Sequence, residues 1–366
     1  MCGRLECSIK RHMETKIRKL RKSEEYQEEN RKTLQEAGDI LKRGGLVAFP
    51  TETVYGLGAD ALNEEAAKKI YAAKGRPSDN PLIVHITNMA ALGKIVSQIP
   101  DAARKVAEAY WPGPLTMIFE KTKIVPYGTT GGLETVAVRM PSHPAARAVI
   151  DAGGGYIAAP SANTSGRPSP TRAEHVAEDL DGRIEMIVDG GPVEIGVEST
   201  ILDMTVTPPM ILRPGAVTRE MLEELIGEVA VDQTLLKADS RTAPKAPGMK
   251  YRHYAPKANL VVVEGEVEKV TAWIRETAAT KQQKGKRVGI IATEETKESY
   301  PDGDVKVAGT RADEATIASS LYGILREFDG DGVDEIYSEA FASGGIGAAV
   351  MNRLLKAAGH QVIRIT

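Results

Sequence analysis

Residues 74–85 combine cationic and polar side chains that could bind an anion. Lys74 and Arg76 follow a predicted helix, and Asn80 and His85 lead into a predicted apolar strand. An ammonium and a guanidinium separated by one glycine can converge on one anion, and the planar arginine fork matches phosphate oxygens. The segment therefore indicates anion binding, with a solvated loop carrying surface cations as the alternative. A lone histidine in an apolar strand is more often a core residue than a catalytic base.

Three other blocks place small polar residues at the ends of predicted strands. They cover residues 50–57 (P-T-E-T-V-Y-G-L), 158–169 (A-A-P-S-A-N-T-S-G-R-P-S) and 196–201 (G-V-E-S-T-I), and the last is followed by R-P-G at 213–215. Hydroxyl and amide groups with little bulk let phosphate, ribose or another small ligand approach the backbone closely. Each block alone is also compatible with an ordinary turn or with a strand end that faces the surface.

Common catalytic signatures are missing from the sequence. It contains no G-x-x-x-x-G-K-[ST] phosphate loop, no H-E-x-x-H zinc motif and no G-x-S-x-G hydrolase motif. Glycines within residues 344–347 open a predicted helix, where either a bound phosphate or close helix–strand packing would explain them. We therefore expect no resident metal, and a catalytic magnesium ion would arrive on nucleotide phosphates.

Hydrophobic periodicity predicts a mixed region over residues 26–228. Strands are predicted at 46–49, 82–86, 116–120, 136–140, 156–159, 186–188, 199–203 and 210–213, and helices at 34–41, 64–73, 101–110, 144–152, 172–180 and 219–226. Several of these strands follow each other without an intervening helix. This order indicates an α/β (α+β) domain built on a mixed sheet.

A linker and a second domain follow. Residues 229–258 carry several prolines and the aromatic, cationic run Y-R-H-Y at 251–254, which predicts an extended, semi-rigid connection. Beyond it, residues 259–366 alternate strands at 260–263, 288–292, 305–307, 335–337 and 362–365 with helices at 266–282, 312–328 and 346–358. Such alternation predicts a small parallel α/β domain with right-handed crossovers.

The first 25 residues are rich in lysine and arginine. Leu5, Ile9, Met13, Ile17 and Leu20 recur there at roughly helical spacing, which predicts a basic amphipathic helix. It would be either a loosely docked terminal helix or an arm that touches RNA or a membrane surface.

Composition narrows the class of protein. The 366 residues include 47 basic and 50 acidic side chains, for a net charge of −3, which argues against a protein built mainly to grip a nucleic-acid backbone. Cys2 and Cys7 are the two cysteines, so we expect neither a cysteine-rich zinc site nor a disulfide framework. No apolar run approaches the ~20 residues of a membrane helix, and we expect a reducing, cytoplasmic location.

Taken together, the polar blocks resemble the YrdC-like threonylcarbamoyl-adenylate synthase family. The similarity lies in K-x-R at 74–76, S-x-N at 161–163, P-T-E-T-V-Y-G-L at 50–57 and V-E-S-T-I at 197–201, and it covers about residues 34–228. The linker A-P-G-M-K-Y-R-H-Y-A-P and the α/β tail resemble the long, two-domain form of that family. The segment before residue 26 is not part of the resemblance.

The resemblance implies a fold, a reaction and a set of site residues. The fold would be a twisted mixed sheet around a concave, cationic cavity, followed by a small Rossmann-like domain. The reaction would join L-threonine, bicarbonate and ATP into threonylcarbamoyl-AMP and pyrophosphate, for the threonylcarbamoyladenosine modification of tRNA. ATP would be contacted by Lys74, Arg76, Asn80, Thr135, Ser161, Asn163, Ser169, Arg213 and, from the linker, Tyr254. Threonine would be held by Thr53, His85, Arg139, Ala159 and Ser199.

Two other functions deserve comparison with this one. The first is a binding module whose concave cationic face holds double-stranded RNA, which the net charge of −3 and the 5% of aromatic residues disfavour. The second is carbamoyl transfer in hydrogenase maturation, for which additional cysteine-rich zinc modules are expected. A downstream tRNA-modifying enzyme is the expected partner of the synthase, and direct contact with tRNA is left open.

Overall fold

The chain contains two β-sheets, one in the mixed region and one in the region of alternating strands and helices. The structure, a computed structural model, describes residues 14–232 and 253–366. Within these ranges an eleven-stranded sheet occupies the first region and a five-stranded sheet occupies the second. The predicted fold class, a mixed α/β sheet followed by a smaller α/β unit, is therefore confirmed.

The first sheet is mixed. Its strands are β1 (Lys16–Lys19), β2 (Val47–Phe49), β3 (Gly56–Asp60), β4 (Ile83–His85), β5 (Leu115–Glu120), β6 (Thr135–Arg139), β7 (Ile157–Ala158), β8 (Met186–Asp189), β9 (Thr200–Asp203), β10 (Met210–Arg213) and β11 (Ala230–Val231). They lie in the order β1-β8-β2-β3-β7-β4-β6-β5-β9-β10-β11. The pairs β4–β6 and β5–β9 are parallel, whereas β5–β6 and β9–β10 are antiparallel.

Eight helices accompany this sheet in the described residues. They are α1 (Gln27–Lys42), α2 (Glu64–Lys74), α3 (Met89–Ile95), α4 (Asp101–Tyr110), α5 (Tyr127–Thr130), α6 (Pro144–Ala152), α7 (Ala173–Leu180) and α8 (Arg219–Ile226). The Asn63 side chain caps α2 by accepting from two backbone amides, and Gly75 ends it with a φ of 61°. Since glycine adopts this left-handed conformation without steric cost, Lys74 becomes the last helical residue and Arg76 enters the next loop.

The second sheet is entirely parallel, as predicted. Its strands β12 (Asn259–Glu264), β13 (Val288–Ala292), β14 (Asp304–Val307), β15 (Glu335–Glu339) and β16 (Val362–Arg364) lie in the order β14-β13-β15-β12-β16. The helices α9 (Val267–Gln283), α10 (Glu314–Asp331) and α11 (Gly347–Ala357) connect β12 to β13, β14 to β15 and β15 to β16. The interior strand β13, which lies between β14 and β15, is buried along its whole length, which fits its unbroken apolar sequence.

The second domain packs directly on the first. One apolar cluster unites Val54 and Val197 of the first domain with Tyr254 and with residues of α10 and α11. Buried ion pairs cross the same boundary, because Arg326 pairs with Asp179 and Arg353 pairs with Glu198. The cavity described below is lined by first-domain and linker residues, and the second domain contacts part of that lining from behind.

The helix predicted near the amino terminus is wrong where the structure describes it. Residues Lys16–Lys19 form a strand that pairs in parallel with β8, and Ile17 is 53% exposed. The three-residue spacing of Ile17 and Leu20 suits a helix, but free backbone groups at the edge of β8 provide partners for a strand instead. The sheet thus extends to the amino-terminal side of residue 26, the boundary predicted for this domain. The predicted positions 1–13 lie outside the described residues.

Other differences concern elements that the sequence did not indicate, the short helix α5 among them. Strand β3 begins inside the polar block 50–57 and is glycine-rich, and a Cβ atom at Gly58 would lie 2.7 Å from the Phe49 ring. Helix α3 was not predicted. Most of the predicted linker, residues 233–252, lies outside the described part of the chain, whereas Ala230–Val231 pairs with β10.

Among the described helices, none combines the length and apolar character that a bilayer span requires.

Candidate active site

A narrow cavity lies where β4, β6, β9 and β10 end, and residues of the linker close it. Nine of the fourteen residues predicted to bind substrates line it, namely Arg76, His85, Arg139, Ala159, Ser161, Asn163, Ser199, Arg213 and Tyr254. The other five are Thr53, Lys74, Asn80, Ser169 and Thr135. The first four contact lining residues, whereas Thr135 begins β6 at the end opposite Arg139. Polar groups from distant parts of the sequence therefore converge on one cavity.

Arg139 forms one pole of the cavity. It ends β6 opposite His85, which ends β4, and its side chain is 4% exposed. Its Nη1 atom donates to Thr53 Oγ1 at 2.9 Å, and its Nη2 atom lies 2.7 Å from Glu52 Oε1. Burial alone would raise the pKa of Glu52, but the Arg139 guanidinium outweighs burial and holds that pKa below its usual value. Glu52 and Thr53 thus orient a guanidinium that faces the cavity.

His85 is a neutral partner at this pole. Its Nδ1 atom lies 3.1 Å from the carbonyl oxygen of Ile83, and the residue is 2% exposed. Burial and the nearby Arg139 charge lower its pKa to about 3, so the imidazole carries no charge at neutral pH. Its role here can be hydrogen bonding but not charge pairing. The sequence-based alternative, a buried strand histidine, describes its burial correctly, yet the ring also lines the cavity.

Ser199, which directly precedes β9, and Arg213, which ends β10, form another wall of the cavity. Arg213 Nε donates to the Ser199 carbonyl at 3.0 Å, and Nη2 donates to Ser199 Oγ at 3.2 Å. Ser199 Oγ also lies 2.8 Å from Thr116 Oγ1. Burial lowers the pKa of Arg213, although a guanidinium stays charged at neutral pH. A predicted threonine contact and a predicted ATP contact are therefore hydrogen-bonded to each other.

Lys74 is buried. The alternative interpretation of this segment, a solvated loop with surface cations, is therefore wrong for this residue. The residue is 3% exposed, and its Nζ atom donates to the carbonyl oxygens of Ser161 and Asn163 at 2.5 and 2.6 Å. Burial, followed by the charge of Arg76, lowers the pKa of Lys74 well below its usual value. In this structure the ammonium fastens the loop 161–163 to the end of α2.

Arg76 has fewer partners than Lys74 in the described residues. Its Nη2 atom lies 3.5 Å from the Asn80 carbonyl oxygen, and its buried Nε atom has no hydrogen-bond partner there. Burial lowers its pKa to about 10, which leaves it charged at neutral pH. The side chain lines the cavity and is available to an anion.

His85 and Arg139 end β4 and β6, whereas Asn80 and Thr135 lie where these two strands begin. Both amide atoms of Asn80 are buried without a partner in the described residues. Thr135 is the first residue of β6 and is four residues from Arg139, which corresponds to about 13 Å along a strand. An extended ligand is needed to reach both ends.

The loop 158–169 supplies hydroxyl and amide groups to the cavity. Ser161 Oγ donates to Asn163 Oδ1 at 2.6 Å, and the Asn163 amide donates to the carbonyls of Thr164 and Arg167. Ser169 is fully buried, and its Oγ atom donates to Glu198 Oε1 at 2.5 Å. The internal hydrogen bonds hold this loop in one conformation.

His253 and Tyr254 close the cavity. Tyr254 is 5% exposed, has a φ of 65°, and packs against the Tyr322 ring at a centroid distance of 5.2 Å. The remaining space measures about 60 Å³, whereas ligand pockets usually have several hundred Å³. A nucleotide therefore requires these two residues to shift before it can enter.

Several residues of the site escaped prediction. Glu52 and Glu198 lie within the recognised motifs, but a role was assigned only to their neighbours. Tyr322 and Arg353 come from α10 and α11 of the second domain, and Arg353 is fully buried. A charged residue on the apolar face of a helix was the one signal that the sequence offered for Arg353. Across the described ranges, no three His, Cys, Asp or Glu side chains cluster as metal ligands.

Comparison with known families assigns both domains. A family described as "Telomere recombination" matches residues 39–215, and one described as "Threonylcarbamoyl-AMP synthase, C-terminal domain" matches residues 217–359. Threonylcarbamoyl-AMP synthase of Bacillus subtilis is 52% identical over 332 residues, covering 90% of this chain and 94% of the relative. The enzyme of the same name from Pyrococcus abyssi is 50% identical over 329 residues, covering 90% and 95%.

Solved structures extend this similarity to the whole architecture. The crystal structure of P. abyssi Sua5 complexed with L-threonine is 46% identical, with a TM-score of 0.89, and the match covers 96% of this chain and 99% of that one. A doubly substituted variant of the same protein gives a TM-score of 0.90 at 47% identity, over 96% and 98% of the two chains. These relatives support the synthase and not the RNA-binding alternative.

The buried contacts of Lys74 make a prediction about stability. Changing Lys74 to Met should lower the free energy of unfolding by about 1–3 kcal/mol, because two buried carbonyl groups lose their donor. Changing Lys68, an exposed lysine on the same helix, to Met should stay within about 0.5 kcal/mol of the native protein. Urea unfolding monitored by circular dichroism measures both. Equal stability of the two variants would show that the Lys74 contacts contribute nothing to the fold.

Proposed function

The chain belongs to the threonylcarbamoyl-AMP synthase family, and we propose from this premise how its cavity carries out the reaction. The enzyme forms threonylcarbamoyl-AMP for the modification of tRNA. The observation that carries the assignment of roles is the convergence of two cationic poles, Arg139 on one side and Arg76 with Arg213 on the other, in one cavity. One pole suits an amino-acid carboxylate and the other suits phosphates.

The chemistry needs positioning and positive charge more than a covalent nucleophile. The threonine amine and bicarbonate give a carbamate with loss of water. A carbamate oxygen then forms a bond to the α-phosphorus of ATP, and the bond to the departing pyrophosphate breaks. Negative charge accumulates on phosphoryl oxygens during this transfer, so fixed cations stabilise it.

We assign the threonine pocket to the pole at Arg139. Its guanidinium offers the planar fork that a carboxylate accepts, once Thr53 turns its hydroxyl toward the ligand. The neutral His85 and Ser199 supply hydrogen bonds, and the backbone at Ala159 supplies the remaining wall. Glu52 keeps Arg139 in place while the ligand exchanges.

We assign the ATP site to the remaining predicted residues. Arg76 and Arg213 would pair with phosphates, and Asn80 with Thr135 would contact the nucleotide at the far ends of β4 and β6. Ser161 and Ser169 add hydroxyl contacts, while Lys74 and Asn163 hold the loop that presents them. ATP would enter as its magnesium complex, since phosphates and water commonly hold that ion.

Tyr254 is the proposed cover of the nucleotide. Its ring lines the cavity beside Arg213 and rests on Tyr322. We propose that the segment moves aside to admit ATP and then returns, because a labile carbamate benefits from exclusion of water. The product would pass to a downstream tRNA-modifying enzyme, and we place the reaction in the cytoplasm with its tRNA. Most of the linker proposed as a lid, residues 229–258, lies outside the described residues.

Substrate dependence tests the reaction itself. Release of pyrophosphate from ATP should require threonine and bicarbonate together, because the carbamate is the attacking group. Serine should remain a poorer substrate, since one lost methyl contact changes specificity by roughly 10–200-fold. A coupled pyrophosphate assay with each component omitted measures this. Full-rate release without threonine or without bicarbonate would refute the assignment.

Arg76 provides a test of the phosphate pole. Arg76→Lys should lower kcat/KM for ATP by about tenfold or more, because an ammonium cannot replace the bidentate fork. Its melting temperature should stay close to that of the native protein, since the side chain has few protein partners among the described residues. Arg18→Lys, a change at a half-exposed arginine on β1, serves as the matched control. Native kinetics for Arg76→Lys would remove this residue from the phosphate site.

Tyr254 provides a separate test of closure. Tyr254→Ala should raise KM for ATP by roughly 5–100-fold, the range expected when an aromatic ring that covers a base is lost. Tyr254→Phe keeps the ring and should stay near the native value. Steady-state kinetics with varied ATP distinguish the two variants. An unchanged KM for ATP in the alanine variant would leave the segment as a passive tether.

A further inference from the structure

Arg353 connects the second domain to both strands that carry the ATP pole. The side chain is fully buried on α11. Its Nη1 atom donates to the Pro214 carbonyl at 2.7 Å, and its Nη2 atom donates to the Glu198 carbonyl at 3.3 Å. Those carbonyls directly adjoin Arg213, the last residue of β10, and Ser199, the residue before the antiparallel strand β9. One guanidinium therefore spans the two backbone segments whose side chains face the cavity.

The carboxylate of Glu198 extends this connection to a third residue. Glu198 Oε2 accepts from Arg353 Nε at 2.9 Å, and both carboxylate oxygens accept from the Tyr322 hydroxyl at 3.2 and 3.0 Å. Glu198 Oε1 also accepts from Ser169 Oγ at 2.5 Å. Two side chains of the second domain thus share one carboxylate with a residue of the predicted ATP site.

The charge state of this group is fixed at neutral pH. Burial would raise the pKa of Glu198, but Arg353 and then Arg213 outweigh it and lower that pKa to about 2. An ionised carboxylate accepts hydrogen bonds and donates none. The Ser169 hydroxyl therefore donates its hydrogen bond to Glu198, and its oxygen lone pairs face away from that carboxylate.

We propose that Arg353, assisted by Tyr322, is a positioning residue for the nucleotide side of the site. It acts through Glu198 on Ser169 and through two carbonyl groups on Ser199 and Arg213. The second domain is then a structural part of the ATP site and more than the attachment of the linker. The proposal rests on the assignment of Ser169 and Arg213 to ATP.

The test compares Arg353→Gln with Tyr322→Phe in the full-length chain. Arg353→Gln should raise KM for ATP about tenfold, the size of a coupling within one hydrogen-bond network. KM for threonine should change less, because Thr53, His85 and Arg139 lie outside this network and Ser199 is the one assigned threonine contact that adjoins it. Tyr322→Phe keeps the ring under Tyr254 and should give a smaller rise, with a near-native melting temperature. Should Arg353→Gln fail to fold, the Tyr322 variant decides the question.

Arg311→Gln is the control for loss of an arginine that pairs with a buried carboxylate. Arg311 pairs with the buried Glu339 entirely within the second domain, so this variant should lower the melting temperature without changing KM for ATP. Equal increases in KM for ATP in the Arg311 and Arg353 variants would overturn the proposal, and so would a native KM for ATP in the Tyr322 variant.

A double variant identifies the route of the effect. In a Ser169→Ala background, the change Arg353→Gln should raise KM for ATP by less than it does in the native chain, because part of its action is already lost. Fully independent effects would contradict action through Ser169. Threonine-dependent pyrophosphate release by the native chain is measured in the same series. Its absence would refute the proposed function, whereas its presence with native-like variants would refute only the positioning role.

Discussion

The buried carboxylate of Glu198 is the interaction on which the two domains and the cavity jointly depend. It accepts from Ser169 in the first domain and from Tyr322 and Arg353 in the second. Removing a charge from water costs several kcal/mol, and only close counter-charges with good geometry offset that cost. If the second domain separates, Glu198 loses Arg353 and Tyr322 as hydrogen-bond partners. The contact therefore favours the docked arrangement.

Cation burial follows a second constraint. Lys74, Arg139 and Arg213 each have protein oxygens within hydrogen-bond or ion-pair distance, whereas Arg76 has one long contact in the described ranges. A cation already satisfied by the protein gains less from a ligand anion than one that is not. Arg76 is thus the group whose charge remains most available, and Lys74 shapes the loop that faces it. The motif K-x-R contains two cations with different tasks.

The sequence predicted the elements whose signals are local. The bounds of α4 and α6 agree with the predicted ones, because Pro100 precedes one helix and Pro144 begins the other. Strand β3 was missed since its glycines have low strand propensity, yet close packing on Phe49 requires them. The prediction of an amino-terminal helix was wrong because the spacing of a few apolar residues cannot reveal a free strand edge 170 residues away in the sequence.

Site residues show the same division between local and distant information. Motif resemblance brought Arg139, His85 and Arg213 to one cavity, although their individual roles stay predictions. The resemblance could not indicate that Lys74 binds backbone carbonyl groups. The neighbouring residues in the sequence are the same whether this lysine lies in an exposed loop or at a buried helix end. Arg353 lies 155 residues from Glu198, so no spacing rule connects them.

Tyr322 joins the closure of the cavity to the connection between the domains. Its ring supports Tyr254, and its hydroxyl donates to Glu198. In the proposed opening, Tyr254 would move to admit a nucleotide, and one face of the Tyr322 ring would lose apolar contact while the hydroxyl keeps its acceptor. The carboxylate network can thus hold the ATP pole in place during opening, and Tyr322 offers Tyr254 the same surface on return. On this proposal, opening needs no separation of the domains. The Tyr322 ring contacts the residue that moves, whereas the Tyr322 hydroxyl contacts the carboxylate that stays in place.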